Sequence, residues 1–383
     1  MVHVRSRREA LRVLSALAAA AALPKGAFAH LAALQDEEVI PFTDVPEDFS
    51  TRRGEFVFRL DLRDLRTFIT ANEDFFSVAH YNRPSIDGAT WSLRLDGLVE
   101  RPATFTLDEI RALPKVEKTV TFECSGNQGI RHHGMVGNAV WGGTPLKPLL
   151  EAAGPHPTAI ETVFWAADAG TETIRNNEYP QNFARAMSLA DTMGSGAILA
   201  WEMNSEPLPE KNGFPLRVIV PGWYGIGHVK WLTRIQLSDR RLMNRFMGRD
   251  YVTIIGEEMD GQTVWFERSV TRQRIKSVVA RVSRTAAGRT RVFGAAWNDG
   301  TPIREVGVSV DGGAWMNAEL ERTGNPYAWT FFQLETDALA PGEHTLVSNA
   351  IDEFGRDQPA DLSLKKTYWE DNAQFPRTVM VAG

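Results

Sequence analysis

Lys118-Thr-Val-Thr-Phe-Glu-Cys-Ser-Gly-Asn-Gln-Gly129 holds the single cysteine of the 383-residue chain, Cys124, where a strand pattern gives way to a turn. Val120, Phe122 and Cys124 alternate with Thr119, Thr121 and Glu123, the period of a strand buried on one face. Ser125, Gly126 and Asn127 break that pattern with turn-forming residues. A thiol at a strand's end faces the mouth of its domain. Burial as a small hydrophobe is the ordinary fate of a free cysteine. The sharper reading is a thiolate, acting as nucleophile or metal ligand.

One cysteine excludes an intrachain disulfide, clusters built on cysteine alone and Cys-x-x-Cys-His haem attachment. The formal net charge of -6 offers no basic footprint for nucleic acid.

Towards the N-terminus, residues 1–29 combine a basic head, a short alanine-rich apolar stretch and the small-x-small end Ala27-Phe28-Ala29. That is the pattern of an export signal, and the apolar part is too short for a good membrane span. Ser6-Arg7-Arg8 with Leu11-Arg12 resembles the twin-arginine signal, which exports folded proteins to the periplasm. Residues 30–54 read as a connector. Phe56, Phe58, Leu60 and Leu62 alternate as a strand, as do Trp91, Leu93 and Leu95, and Thr106 to Glu109 is a capping box opening a short helix.

Beyond Cys124, a glycine-rich loop carries Arg131, His132 and His133, and Pro145 to Ala153 reads as a helix ended by Gly154. Residues 162–167, 197–201 and 214–220 read as buried strands. From His228 to Leu237, Val229, Trp231, Ile235 and Leu237 share one face and His228, Lys230, Arg234 and Gln236 the other. Strands and helices without a regular βαβ repeat give an α+β domain over 55–271. From 272 to 383, short strands joined by Asn298-Asp-Gly300, Asp311-Gly-Gly313 and Pro341-Gly342 give an all-β sandwich.

Neither a P-loop, a dinucleotide fingerprint nor a G-x-S-x-G elbow is present. His132 and His133 lack a third ligand at zinc-like spacing and read as solvated or substrate-facing. Nothing pairs a histidine with Cys124 for nucleophilic catalysis. Arg217, His228 and Lys230 beside rigid turns either grip a phosphate or form a solvated face, and charge pattern alone leaves both open.

Several motifs together resemble the sulfite oxidase family of molybdenum enzymes. They are Thr121-Phe-Glu-Cys-Ser-Gly-Asn127, Asn72 to His80, Trp201-Glu-Met-Asn-Ser-Glu-Pro-Leu-Pro209, Gly213 to Gly222, His228-Val-Lys-Trp-Leu232 and Arg249-Asp-Tyr251. Ala296 to Gly300 and Val308 to Gly313 are similar to that family's immunoglobulin-like dimerisation domain. The resemblance implies one molybdopterin-bound molybdenum per chain with Cys124 as its thiolate ligand, and no haem, flavin or iron–sulfur centre. It implies a cofactor grip by Phe76, Ser77, Val78, Ala79, His80, Asp168, Asn212, Arg217, His228, Val229 and Lys230, with Tyr251 beside the metal.

Two departures concern the substrate. Val78 and Ala79 stand where the family has a sulfite-binding arginine and an asparagine, and Gln128-Gly129 replaces an arginine pair. Arg131, His132 and Tyr251 are then the substrate candidates. Asn212 also stands where the family often has a pterin-binding histidine. The expected activity is oxidation of sulfite or a related sulfur compound, with electrons passed to a separate acceptor such as a c-type cytochrome, in a homodimer. The rival expectations are S-oxide reduction and, from another class, a non-catalytic immunoglobulin-like partner protein.

Overall fold

The computed structural model describes residues 37–46, 49–53, 57–129 and 132–383. The export signal, residues 30–36 of the connector, Phe56 and Arg131 lie outside the described residues.

The cysteine strand, Val116–Glu123, pairs antiparallel with Val136–Pro145, which continues through Ile198–Met203 to Glu206–Pro207, while Arg217–Ile219 also pairs with Ile198–Met203. Gly137 belongs to this sheet because a Cβ there would stand 2.6 Å from the ring of Phe75. A second sheet runs Asn177–Ser188, Glu161–Ile174, Leu232–Ser238, Ser92–Gly97, Ala103–Thr106. Its pairs are antiparallel except Leu232–Ser238 with Ser92–Gly97. Leu199, Trp201 and Val218 of the first sheet and Leu93, Leu95, Phe164 and Ile235 of the second share one buried cluster. The hydrophobic effect over that shared face holds the two layers together.

Helices are few and short: Leu107–Arg111, Leu146–Ala153 and Leu189–Gly194 among the described residues. The first opens with the expected capping box, Thr106 Oγ1 accepting from the Glu109 N–H and Glu109 accepting from the Thr106 N–H at 2.8 Å. The second ends at Gly154 in the left-handed conformation, φ 71°.

In the C-terminal region, one sheet runs Glu38–Ile40, Lys276–Arg284, Thr290–Trp297, Thr330–Thr336, Glu319–Glu321, and another Met316–Asn317, Ile303–Val310, Gly342–Asp352, Arg377–Val381. Val279, Val292 and Phe332 of one meet Val306, Leu346 and Val379 of the other in a shared core, which is a sandwich. The connector is more than a link, since its Glu38–Ile40 pairs with Lys276–Arg284.

Three local expectations are corrected. The alternation from Phe56 to Leu62 yields only the strand Val57–Phe58, followed by a 3-10 turn at Leu62–Asp64, whose Arg63 is claimed by Asp61. The strand expected from His228 begins only at Leu232. Trp231, at φ 49°, breaks the extended backbone before it. From Val120 onward the cysteine strand is buried on both faces, not one. Thr121 and Glu123 are each 1% exposed because the C-terminal sandwich covers their side. The Trp329 N–H donates to Thr121 Oγ1 at 2.7 Å, and the Gln273 side chain accepts from the Glu123 N–H at 3.0 Å.

Candidate active site

Cys124 ends its strand with its backbone clamped on both sides. Its N–H donates to the Met135 carbonyl and its carbonyl accepts from the Asn127 N–H, both at 2.9 Å. Asn127 closes the turn by accepting from the Met135 N–H at 2.9 Å and donating to the His133 carbonyl at 2.8 Å. Gly225 passes close by. A Cβ there would sit 3.2 Å from the Glu123 carbonyl and 3.5 Å from Cys124 Cα, so this position has little room for a side chain.

The thiol lines a cavity that is partly open to solvent. Phe76, Ser77, Val78, His80, Cys124, Asp168, Arg217, His228, Val229, Lys230 and Tyr251 all line it. Motifs spread over 175 positions of sequence therefore converge on one space. Ala79 and Asn212 are buried behind the wall. His132 does not line the cavity. Its ring lies against Phe49 and Phe375, with Nδ1 3.9 Å from Asp44. His133, read as solvated or substrate-facing, is neither: it is 1% exposed, is absent from the cavity wall and packs edge-on to Phe375 beside Lys276.

Two cations, the buried Arg217 and the half-buried Lys230, define the cavity's field. Arg217 is 3% exposed between the rings of Phe122 and Trp141, and donates to the Asn212 carbonyl at 2.7 Å and the His228 carbonyl at 3.0 Å. Its Nε and the Asn212 Oδ1 are buried without a hydrogen-bond partner. Lys230 donates to the Val78 carbonyl at 2.7 Å and reaches Ser77 Oγ at 3.5 Å. These acceptors are all neutral. Burial pulls Arg217 down to about 9, and burial with the neighbouring Arg217 charge holds Lys230 well below an ordinary lysine. Asp168, the one carboxylate among the lining residues, is pushed up to about 6 by burial, with Lys230 opposing. A site that buries cations beside uncharged acceptors and an orphaned guanidinium nitrogen is short of an anion. A phosphate group would supply one, and the thiol of Cys124 is a soft donor of the kind a metal would accept.

His228 is a structural member of the wall. Its Nδ1 accepts from the Val220 N–H at 3.3 Å, its Nε2 meets the Trp223 carbonyl at 3.0 Å, and its ring stacks on Phe122 at 3.9 Å. Burial first, then the Arg217 charge, hold it neutral with a pKa of about 3.

Tyr251 follows a π-helical turn, Arg245–Arg249, and takes φ 59°. That conformation costs a bulky residue about 1–3 kcal/mol, and both features recur at functional sites. The Tyr251 hydroxyl lies 2.5 Å from His80 Nε2. His80 stacks on Phe183 and meets Phe246 edge-on, both at 5.0 Å. Burial and then Lys230 bring His80 down to about 3, and burial holds the Tyr251 phenol well above its ordinary value. The pair is therefore neutral at physiological pH, with one hydrogen to share and one to offer.

Sequence reading missed Phe183, Ile226 and Trp231 in the cavity wall. Phe183 sits where the pairing register of its strand shifts between Asn182 and Ala184, a bulge that alternation does not mark. Ile226 had a signal, since it stands between two glycines inside the motif region. Arg185 was missed too. It is 2% exposed and ties the Phe246 carbonyl to Ser269 Oγ, the latter at 3.0 Å, bracing the turn before Tyr251.

A buried cysteine, a cationic cradle and a tyrosine–histidine pair surround one cavity, and comparison with known proteins gives the class, a molybdopterin-binding oxidoreductase. The family profile described as "Oxidoreductase molybdopterin binding domain" matches residues 80–246. Chicken sulfite oxidase is 30% identical over 320 residues, covering 77% of this chain and 69% of that one. The chain belongs to the sulfite oxidase family of molybdopterin oxidoreductases. Mitochondrial sulfite oxidase of Macaca fascicularis is 32% identical over 76% of this chain, which spans only 57% of that protein. The solved sulfane dehydrogenase SoxCD of Paracoccus pantotrophus shares the fold, with a TM-score of 0.72, 24% identity and 92% coverage of both chains.

Proposed function

We propose that this chain oxidises a sulfur compound of the sulfite class by oxygen-atom transfer at a molybdopterin-bound molybdenum held by Cys124. The observation that carries this reading is the meeting of Cys124, the Arg217–Lys230 cradle and the His80–Tyr251 pair in one cavity. Arg217 and Lys230, with Ser77 beside them, hold the cofactor's phosphate, and Cys124 supplies the thiolate. When bound, the cofactor supplies the two-electron redox change and the exchangeable oxygen. Phe76, Phe122, Phe183 and Ile226 keep water off the cavity wall. Neutral His80 donates Nε2–H to the Tyr251 oxygen, which frees the phenol hydrogen to bond the oxygen of the substrate. The substrate gains one oxygen derived from water and gives up two electrons, and the two protons of that water go to solvent.

The C-terminal sandwich is assigned as an immunoglobulin-like dimerisation domain over 272–383, and residues 1–29 as a twin-arginine leader to the periplasm. A separate acceptor, of the c-type cytochrome kind, takes the electrons. A second reading concerns the substrate. Val78 places an aliphatic side chain on the cavity wall, near the uncharged His80 and Phe183, which favours a sulfur compound less charged than sulfite. Protein produced in a molybdopterin-competent host is expected to hold about one molybdenum per chain by metal analysis and to turn over sulfite with an artificial acceptor. Absence of molybdenum defeats the enzyme reading. Loaded protein that ignores sulfite but oxidises an uncharged sulfur compound establishes the second reading.

A further inference from the structure

Three aromatic rings run in series from the cavity to the surface. Tyr251, which lines the cavity with Cys124, stacks on Trp369 with ring centroids 4.2 Å apart and planes at 25°. Trp369 meets Tyr368 at the same 4.2 Å separation and 44°. Tyr368 is 51% exposed.

The segment carrying the outer two rings belongs to the C-terminal part of the chain and is pinned to both halves of the site. The Gly256 N–H donates to the Leu364 carbonyl at 2.9 Å and the Lys366 N–H to the Ile254 carbonyl at 3.0 Å, on the hairpin that follows Tyr251. On the other side, the Glu370 N–H donates to the Ser125 carbonyl at 2.7 Å, one residue past Cys124. Apolar side chains are exposed on the segment that carries Tyr368 and on the neighbouring hairpin. Leu364 is exposed on the same segment, and Val264 and Trp265 are exposed on the paired hairpin. The Lys366 ammonium lies 4.5 Å from the Trp265 ring. Contiguous exposed apolar groups of this kind mark interaction surfaces.

We propose that Trp369 and Tyr368 are the exit through which electrons leave the cavity, and that a one-electron redox protein docks over Tyr368. This rests on the oxidoreductase reading above. That reaction releases two electrons, which the reading above passes to a separate one-electron acceptor, so a route from the cavity to the surface is needed. Tunnelling falls steeply with distance and is carried better by packed atoms than across a gap. The stacked rings are a packed path from the cavity wall to solvent. Each transfer would take one electron from the molybdenum that the reading above places in the cavity and give it to the acceptor, so two transfers would balance the two electrons lost by the substrate. The rings stay neutral, and no bond in them forms or breaks. The surrounding surface mixes exposed apolar groups with charges, among them Lys366 over Trp265 and the Arg268–Glu257 pair of the hairpin, which suits a transient protein contact.

The test uses molybdenum-loaded full chain reduced by dithionite, so that substrate identity plays no part, then mixed in stopped flow with ferric cytochrome c. Tyr368→Ala and Trp369→Leu are expected to slow reoxidation at least tenfold, and Tyr368→Phe, which keeps the ring, to restore it. The Mo(V) electron paramagnetic resonance signal on reductive titration is expected to match the parent in Tyr368→Ala. Calorimetric binding of ferric cytochrome c to the same chain is expected to weaken at least tenfold in Tyr368→Ala. Reoxidation and binding unchanged in Tyr368→Ala, or Tyr368→Phe as slow as Tyr368→Ala, overturn the proposal. A chain that takes up no molybdenum fails instead at the metal analysis, which overturns the underlying reading, while cytochrome binding still reports on the patch.

Discussion

Lys276 Nζ stands 3.3 Å from Glu123 Oε1, and both side chains are 1% exposed. The residue immediately before the candidate metal ligand is thus ion-paired to the first long strand of the C-terminal sandwich. The same ammonium reaches the Asn127 carbonyl at 3.3 Å, so one lysine holds both ends of the cysteine turn. Burial raises the Glu123 carboxyl, and Lys276 opposes that rise.

Removing one partner leaves a buried charge alone. Lys276→Met is expected to destabilise the chain by about 3–5 kcal/mol, read as a lowered urea midpoint. The double variant Glu123→Gln with Lys276→Met, which removes both charges, is expected to recover most of that loss. A double variant as unstable as Lys276→Met would show that the lysine acts through Asn127 and His133 and not through the ion pair.

Acid should weaken the fold through two histidines, the half-buried His80 and the buried His228. His80 and His228 have native pKa values of about 3, against about 6.5 in an unfolded chain. Between those values the unfolded state binds protons that the native state refuses, so stability rises with pH. It is fully present above 6.5 and is lost as pH falls towards 3. Asp168, raised to about 6, has the opposite sign over its own window and offsets part of one histidine. The expected slope is at most about 1.4 kcal/mol per pH unit per histidine. Urea midpoints from pH 6.5 to 5 should fall, His80→Gln should flatten the trend, and Asp168→Asn should steepen it.

Much of the site was legible before any coordinates, and the reason is chemical. Cys124, Arg217, Lys230 and Tyr251 stand in ordered motifs whose residue types are unusual where they occur, so the resemblance named them one by one. The alternation of Val120, Phe122 and Cys124 located the strand correctly. It misjudged the opposite face, because a period of two reports only that residues alternate, and Thr121 and Glu123 are buried by a sandwich more than 150 positions away. Lys276 and Gln273, which meet that face, carried no signal in the sequence for the same reason. The aromatic path through Trp369 was hidden similarly: it depends on a C-terminal segment folding back onto Ile254 and Ser125. His228 shows the reverse case, a residue rightly placed in the wall whose two nitrogens are occupied by the backbone.

Arg217 should trade stability against function. Its guanidinium is buried among neutral acceptors with Nε unpartnered, a cost to the cofactor-free fold that a bound anion relieves. Arg217→Met is therefore expected to unfold at the same or a higher temperature than the parent in cofactor-free protein. The same variant, produced in a molybdopterin-competent host, is expected to retain less than about a tenth of the parent's molybdenum, the loss of one charge-assisted hydrogen bond being worth about 1.5–3 kcal/mol. Full metal content in Arg217→Met would assign the phosphate to other residues.

The substrate preference can be probed by restoring a charge. Val78 lines the cavity, and its carbonyl accepts from Lys230, so its backbone is already fixed and only the side chain needs to change. Val78→Arg adds a guanidinium on the side where His80 is neutral and Phe183 is apolar. A bidentate contact to an oxyanion of about 1.4 kcal/mol or more corresponds to a tenfold change in affinity. The KM for sulfite is accordingly expected to fall at least tenfold with molybdenum content unchanged, and oxidation of an uncharged sulfur substrate to weaken. An unaltered KM in fully loaded Val78→Arg would mean that the anion is held elsewhere, leaving Tyr251 as the group that meets its oxygen.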